Sequence, residues 1–204
     1  PFTYAFREIP TAKTGGADRI AVYEDGQRYS VATGPGQYEV QSRGNKVRVT
    51  WHLPPTENVQ RTFVLAYRVD GLVRQEDRRD ALRWAAIPPD HDYAISDARV
   101  TVRLPEHVGP VTGAQVLEGA GQVEVFGRQV SFTASQVERD RELTIAVWFP
   151  HGQLSGVPPA WQQQELAQAV RAPLWIAGGV LTALLGLAAA YSLWRRLGRE
   201  QVSA

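Results

Sequence analysis

Residues 174–194, LWIAGGVLTALLGLAAAYSLW, run for 21 positions without a charged side chain. As a helix this run measures about 31 Å at 1.5 Å per residue, the thickness of a bilayer's hydrocarbon core. Helices inside soluble proteins seldom stay apolar on every face for that length, so the expectation is a single membrane-spanning helix. Pro173 stands at its start, where a missing N–H is tolerated. Trp175 lies near one end, and Tyr191 and Trp194 near the other, as amphipathic rings do at the two membrane interfaces. Arg195, Arg196 and Arg199 follow at once, whereas only Arg171 stands close on the other side. Positive charge gathers on the cytoplasmic side. The expected topology is therefore a single span in the plasma membrane, with the N-terminal part outside and the C-terminus in the cytoplasm. Gly179, Ala183, Gly186 and Ala190 recur at intervals of four, three and four, which places small residues on one helix face. Such a face suits a helix–helix contact, and the Gly/Ala richness of membrane helices explains the same pattern.

Residues 17–150 read as strands and turns. Segments 20–24 and 28–33 flank Asp25-Gly26, and 38–42 and 46–51 flank Arg43-Gly44-Asn45, both tight hairpin signals. In 46–51, Val47, Val49 and Trp51 alternate with Arg48 and Thr50, giving one dry face and one wet face, before Pro54-Pro55 stops the strand. Further strands are expected within 61–73, with a bend at Asp70-Gly71, and at 99–104, 122–126, 129–133 and 142–149. Short strands divided by turn chemistry predict a mainly β chain: an immunoglobulin-like β-sandwich over 1–150. A linker and short juxtamembrane helix over 151–172, the span over 173–194 and a basic tail over 195–204 complete the expected organisation. Residues 76–84, EDRRDALRW, are the least strand-like part and read as a loop or helical turn, their alternating charges as a solvated face.

Composition excludes more chemistry than it suggests. The chain has no Cys, which removes disulfides, thiol nucleophiles and Cys-held metals. Its 22 basic and 21 acidic residues leave a formal charge of +1, so no nucleic-acid partner is expected. His52, His91, His107 and His151 show no metal-ligand spacing, and Asp90-His91-Asp92 reads as a solvated loop rather than a cation site. Gly152-Gln153-Leu154-Ser155-Gly156 misses the nucleophile-elbow spacing by one residue. No catalytic, cofactor or metal residue is expected, and the chain is not read as an enzyme. Trp51, Trp84 and Trp148 read as core packing, with a sugar-stacking platform as the alternative.

Phe6-Arg7-Glu8-Ile9-Pro10 (FREIP) resembles a signature near the front of the bacterial membrane-protein family DUF2207. The resemblance continues in Ala66-Tyr67-Arg68-Val69-Asp70-Gly71, in Leu82-Arg83-Trp84, in VTVRLP at 100–105, in Phe132-Thr133-Ala134 and in LTIAVWFP at 143–150. It implies an extracytoplasmic β domain before a membrane helix, with a signal peptide and further strands expected ahead of Pro1, and it implies no reaction. Within FREIP, Pro10 is expected to end a strand while Arg7 and Glu8 pair locally; the functional alternative makes Arg7 and Glu8 an interaction surface. The resulting expectation is an interaction or assembly module of the cell envelope, whose partners are the lipid bilayer and an envelope protein or a second copy. The alternative is a module binding a cell-wall glycan or small ligand, and a third reading is an envelope enzyme whose site the sequence does not show.

Overall fold

The structure, a computed structural model, describes residues 2–154 and 156–197, and in its last helix the side chains of 160–169, 179 and 182–196. The chain forms two units, Pro1–Trp161 and Gln162–Ala204.

The first unit holds fourteen strands. Seven build the first half: β1 (Phe2–Pro10), β2 (Ala17–Glu24), β3 (Gln27–Arg28), β4 (Ser30–Val31), β5 (Gln37–Arg43), β6 (Lys46–Thr56) and β7 (Phe63–Val69). They pair as two sheets, β1-β6-β5-β4 and β3-β2-β7. Between the sheets lies one core containing Ile9, Val22, Tyr38, Val49 and Leu53. The alternation expected in β6 holds: Val47, Val49, Trp51 and Leu53 are buried, and the residues between them are only partly covered. Asp25 and Gly26 both take positive φ, 50° and 79°, as a two-residue hairpin turn requires. The strand does not stop at Pro54-Pro55. Pairing with β5 ends at His52, so the two prolines lie where no donor to β5 is needed, and β6 runs on to Thr56 opposite Phe2.

Seven more strands follow: β8 (Val73–Gln75), β9 (Arg79–Ile87), β10 (Ile95–Arg103), β11 (Gly113–Glu118), β12 (Gln122–Phe126), β13 (Gln129–Val137) and β14 (Leu143–Pro150). Their sheets, β11-β14-β9-β8 and β10-β13-β12, enclose a second core around Phe132, Leu143, Ile145 and Val147. The single sandwich expected over 1–150 is thus two sandwiches, each with its own core. Strand pairing in the second also departs from the immunoglobulin pattern, in which the second strand lies beside the fifth and the sixth beside the last. Here the two-residue turn at Gly127-Arg128 keeps the fifth strand of the seven, β12, beside β13, and the last, β14, crosses to the other sheet between β11 and β9. The loop expected at 76–84 is largely strand β9, because β8 and β14 pair with it from both sides. Its charges are not one solvated face either, since Asp80 is buried.

One helix, α1 (Ala160–Leu197), replaces the two expected helices and runs through Pro173 without a break. Among the described residues no helix is long and apolar enough to cross a membrane. The side chains of 174–178, 180 and 181, a third of the apolar run and including Trp175, lie outside that description, as does Arg199. Tyr191, Trp194, Arg195 and Arg196 are exposed, with the Tyr191 and Trp194 rings 6.0 Å apart. Gly179, Ala183, Gly186 and Ala190 are exposed too, and a Cβ added at either glycine meets nothing within 4 Å.

Candidate functional site

Three of the segments that carry the family resemblance, 6–10, 66–71 and 82–84, meet where the two sandwiches join. Alternation along β1 turns Ile9 into the first core and Arg7 toward the second sandwich. Arg7 donates from Nη2 to the Ala86 carbonyl at 2.5 Å. Burial pushes the Arg7 pKa down, opposed by Tyr67 and Tyr93. Glu8 faces the other way and lies 3.1 Å from Lys46 Nζ and 4.0 Å from Arg48 Nε. Lys46 also pairs with Asp90 in the second sandwich. Hydrogen bonds to Asp90 and then Glu8 hold the Lys46 pKa above its ordinary value. Phe6 lies on the outer face beneath Arg48, whose guanidinium carbon is 3.8 Å from the ring centroid. Arg7 and Glu8 therefore both serve ties within the unit.

Behind Arg7 the Tyr67 and Trp84 rings meet at 6.4 Å, and Trp84 packs against both cores. Two segments on, the Gly71 carbonyl accepts a hydrogen bond from Trp161 Nε1 at 2.7 Å. Gly71 has φ +61°, and a Cβ there would sit 3.3 Å from both Gly15 N and Pro159 Cβ, so a side chain at 71 would press on the turn that seats Trp161.

A cavity of about 210 Å³ opens beside these contacts, with Pro10, Lys13, Arg74, Arg83, Trp84 and Trp161 in its wall. No Asp or Glu stands among its lining residues in the described part of the chain. The Arg74 guanidinium lies 5.8 Å from the centroid of the Trp161 ring, and its Nε is 3.5 Å from Glu76. The site thus combines cations with two indoles. A larger cavity of about 420 Å³ at one end of the second sandwich, bounded by Gly119, Gln136, Glu138, Arg141 and Glu142, mixes both signs of charge and touches none of the convergent segments.

Outside the cavity the polar clusters serve the fold. His91 is buried rather than part of a solvated loop. Its Nδ1 lies 2.7 Å from the Tyr93 carbonyl and its Nε2 2.8 Å from the Arg141 carbonyl. Carbonyls only accept, so the ring N–H is the donor in this clasp. His151 Nδ1 lies 2.8 Å from the buried Asp80 carboxylate, and His52 3.5 Å from Glu39. Among the described residues no three metal-ligating side chains gather. The three tryptophans singled out in the sequence part company: Trp51 is in the first core, Trp148 is partly covered with Arg79 over its ring at 4.8 Å, and Trp84 reaches the cavity. Sequence reasoning missed Lys13 and Trp161 as wall residues. The positive φ of Lys13, 56°, belongs to a turn without a glycine signal at that position, and Trp161 lies 90 residues from the carbonyl that seats it.

No curated protein matches the chain. A family model described as the N-terminal domain of a predicted membrane protein, DUF2207, matches residues 1–149 and so spans both sandwiches and the segments that meet at their junction. By that match the chain belongs to the DUF2207 family of predicted membrane proteins.

Proposed function

We propose that this chain is a membrane-anchored binding module of the bacterial cell envelope rather than an enzyme. In this reading the paired sandwiches stand outside the cell, the apolar run of α1 crosses the plasma membrane, and the arginines after it face the cytoplasm. The family's description and the uncharged 174–194 run support the anchor. The engagement of both His91 ring nitrogens with backbone carbonyls leaves that buried ring to the fold and favours binding over catalysis.

One observation carries the interaction role. Phe2, Tyr4 and Phe6 alternate along β1 and are 55%, 56% and 38% exposed. Among the described residues β1 has a strand neighbour on one side only, β6. A row of exposed rings along a strand is a surface against which a partner packs. A photo-crosslinking residue at Tyr4 in living cells tests this. The expected result is a discrete adduct with an envelope protein or a second copy, lost when Phe2 and Phe6 are changed to Lys. Recovery of the uncrosslinked chain alone would overturn the interaction role. Protease added to intact spheroplasts is expected to remove the β unit, and its full protection would overturn the topology.

A further inference from the structure

We infer that the cavity at the junction of the two sandwiches binds the oxyanion of a small phosphate ester. Its wall brings Lys13, Arg74 and Arg83 together with no carboxylate among the described lining residues. Arg83 is exposed on β9 and makes no ion pair among the described residues. Guanidinium groups present a planar fork of donors that matches phosphate oxygens two at a time. A phosphate ester spreads its negative charge over its non-bridging oxygens, so that one group can be shared between neighbouring cations. The indoles of Trp84 and Trp161 supply the opposite chemistry, an apolar flank for the ester's carbon stem. Trp161 is held in place by its bond to the Gly71 carbonyl. At about 210 Å³ the space is below the ~300–1,000 Å³ of pockets for drug-sized ligands, which suits a headgroup-sized ester and not an oligosaccharide. This inference goes beyond the interaction role of β1 and does not depend on it.

Glycerol phosphate has both halves of this chemistry, and it occurs both free and as the headgroup of phosphatidylglycerol. The experiment uses the full chain in nanodiscs of phosphatidylcholine, titrated calorimetrically with glycerol 3-phosphate. Saturable binding is expected, weakened at least tenfold by Arg83→Ala and left within twofold by Arg99→Ala, another exposed arginine, on β10. Including phosphatidylglycerol in the discs separates the sources. If the lipid headgroup is the ligand, affinity for the free ester falls in the wild type and not in Arg83→Ala; if the ester is captured from solution, affinity is unchanged. Absence of saturable binding in every disc, equal losses for the two arginine variants, or acetate binding as tightly as the ester would each overturn the inference. None of these results depends on which face of the membrane the sandwiches occupy, nor on whether Tyr4 crosslinks, so this inference and the proposed function fail separately.

Discussion

The first sandwich closes its core on rings, and the second closes on aliphatic chains. Tyr29, Tyr38 and Trp51 are buried in the first, with Phe63 and Tyr67 packed against them. In the second, Val130, Leu143, Ile145 and Val147 surround Phe132. Rings bury large areas but bring polar tips that need partners. Tyr38 donates to the Ile20 carbonyl at 2.8 Å and Tyr29 to Glu24 at 2.5 Å, while Trp51 Nε1 has no partner among the described residues. The first core is thus conditional on polar bonds made by its own rings, and the second is closed by side chains that carry no polar atoms. The two proposed surfaces follow the same division: the ring-rich half carries the exposed aromatics of β1, and the cationic cavity opens where it joins the dry half.

The largest test of that contrast is Phe132→Ala. Phe132 is fully buried, so truncation is expected to cost about 3–5 kcal/mol through lost burial and the cavity left behind. Trp51→Phe in the other core is expected to cost under about 1.5 kcal/mol, because the smaller ring keeps most of the packing and removes an unpartnered N–H. Urea unfolding of the full chain in neutral detergent measures both. Equal losses would break the distinction between a packing-limited and a polar-limited core.

His91 comes next. His91→Phe keeps a ring in the site but removes the ring N–H from between the Tyr93 and Arg141 carbonyls. Losing the donated bond is expected to cost about 1–3 kcal/mol. The Asp140 N–H also donates to the His91 carbonyl at 3.0 Å, so faster amide exchange around Asp140 should accompany the loss. An unchanged unfolding midpoint would show that the second sandwich does not depend on this polar clasp.

Arg7→Met sharpens the comparison at the boundary between the halves. Methionine keeps an unbranched stem of similar reach and leaves the Ala86 carbonyl unpaired, a loss of about 1–3 kcal/mol. Because the bond joins the two sandwiches, their unfolding should separate into two transitions when followed by near-ultraviolet dichroism and by exchange at Val49 and Ile145. A single transition at the wild-type midpoint would remove Arg7 as the tie. Loss of the Tyr4 crosslink with an intact junction would instead restore it to the interaction surface.

The hairpins were legible because their information is local: Asp25-Gly26, Arg43-Gly44-Asn45 and the Gly127 turn each hold the left-handed residues such turns need. The division into two sandwiches was not, because sheet membership depends on distant pairing. β1 meets β6 some forty residues on, and β9 meets β14 some sixty residues on. β9 misled for a further reason: its charges look solvated, yet β8 and β14 enclose it and Asp80 is covered. β11 passed unnoticed because Gly113-Ala114-Gln115 shows weak alternation, and the Trp148 ring, 3.3 Å from where a Gly113 Cβ would be, supplies the packing instead. Three of the eleven wall residues were in view, since Pro10, Arg83 and Trp84 lie in the segments that carry the resemblance. Their convergence was not, because no spacing along the chain indicates that residue 161 returns to residue 71.

The smallest expected effect is also the one that isolates chemistry from packing. Tyr29 and Arg61, at 2.5 and 2.6 Å, both donate to Glu24. The Tyr29 hydrogen bond, followed by Arg61, outweighs burial and holds the Glu24 pKa below the ordinary glutamate value. Burial and then Glu24 push the Tyr29 phenol up to about 12. For Glu24 the folded value is the lower one, so its contribution is complete above the unfolded value, near pH 4.5, and is lost as pH falls through the folded value. For Tyr29 the folded value is the higher one, so its contribution is complete below about pH 10 and is lost as pH rises through about 12. Tyr29→Phe keeps the ring and removes the donor, and is expected to cost about 1 kcal/mol at neutral pH. The gap between wild type and variant should narrow below pH 4.5, where Glu24 protonates and the charge-assisted bond weakens in the wild type as well. Urea midpoints of the two proteins between pH 7 and pH 3 measure this. A gap that stays constant across the range would show that the buried tyrosine contributes only its ring, and the first core would then differ from the second in shape rather than in chemistry.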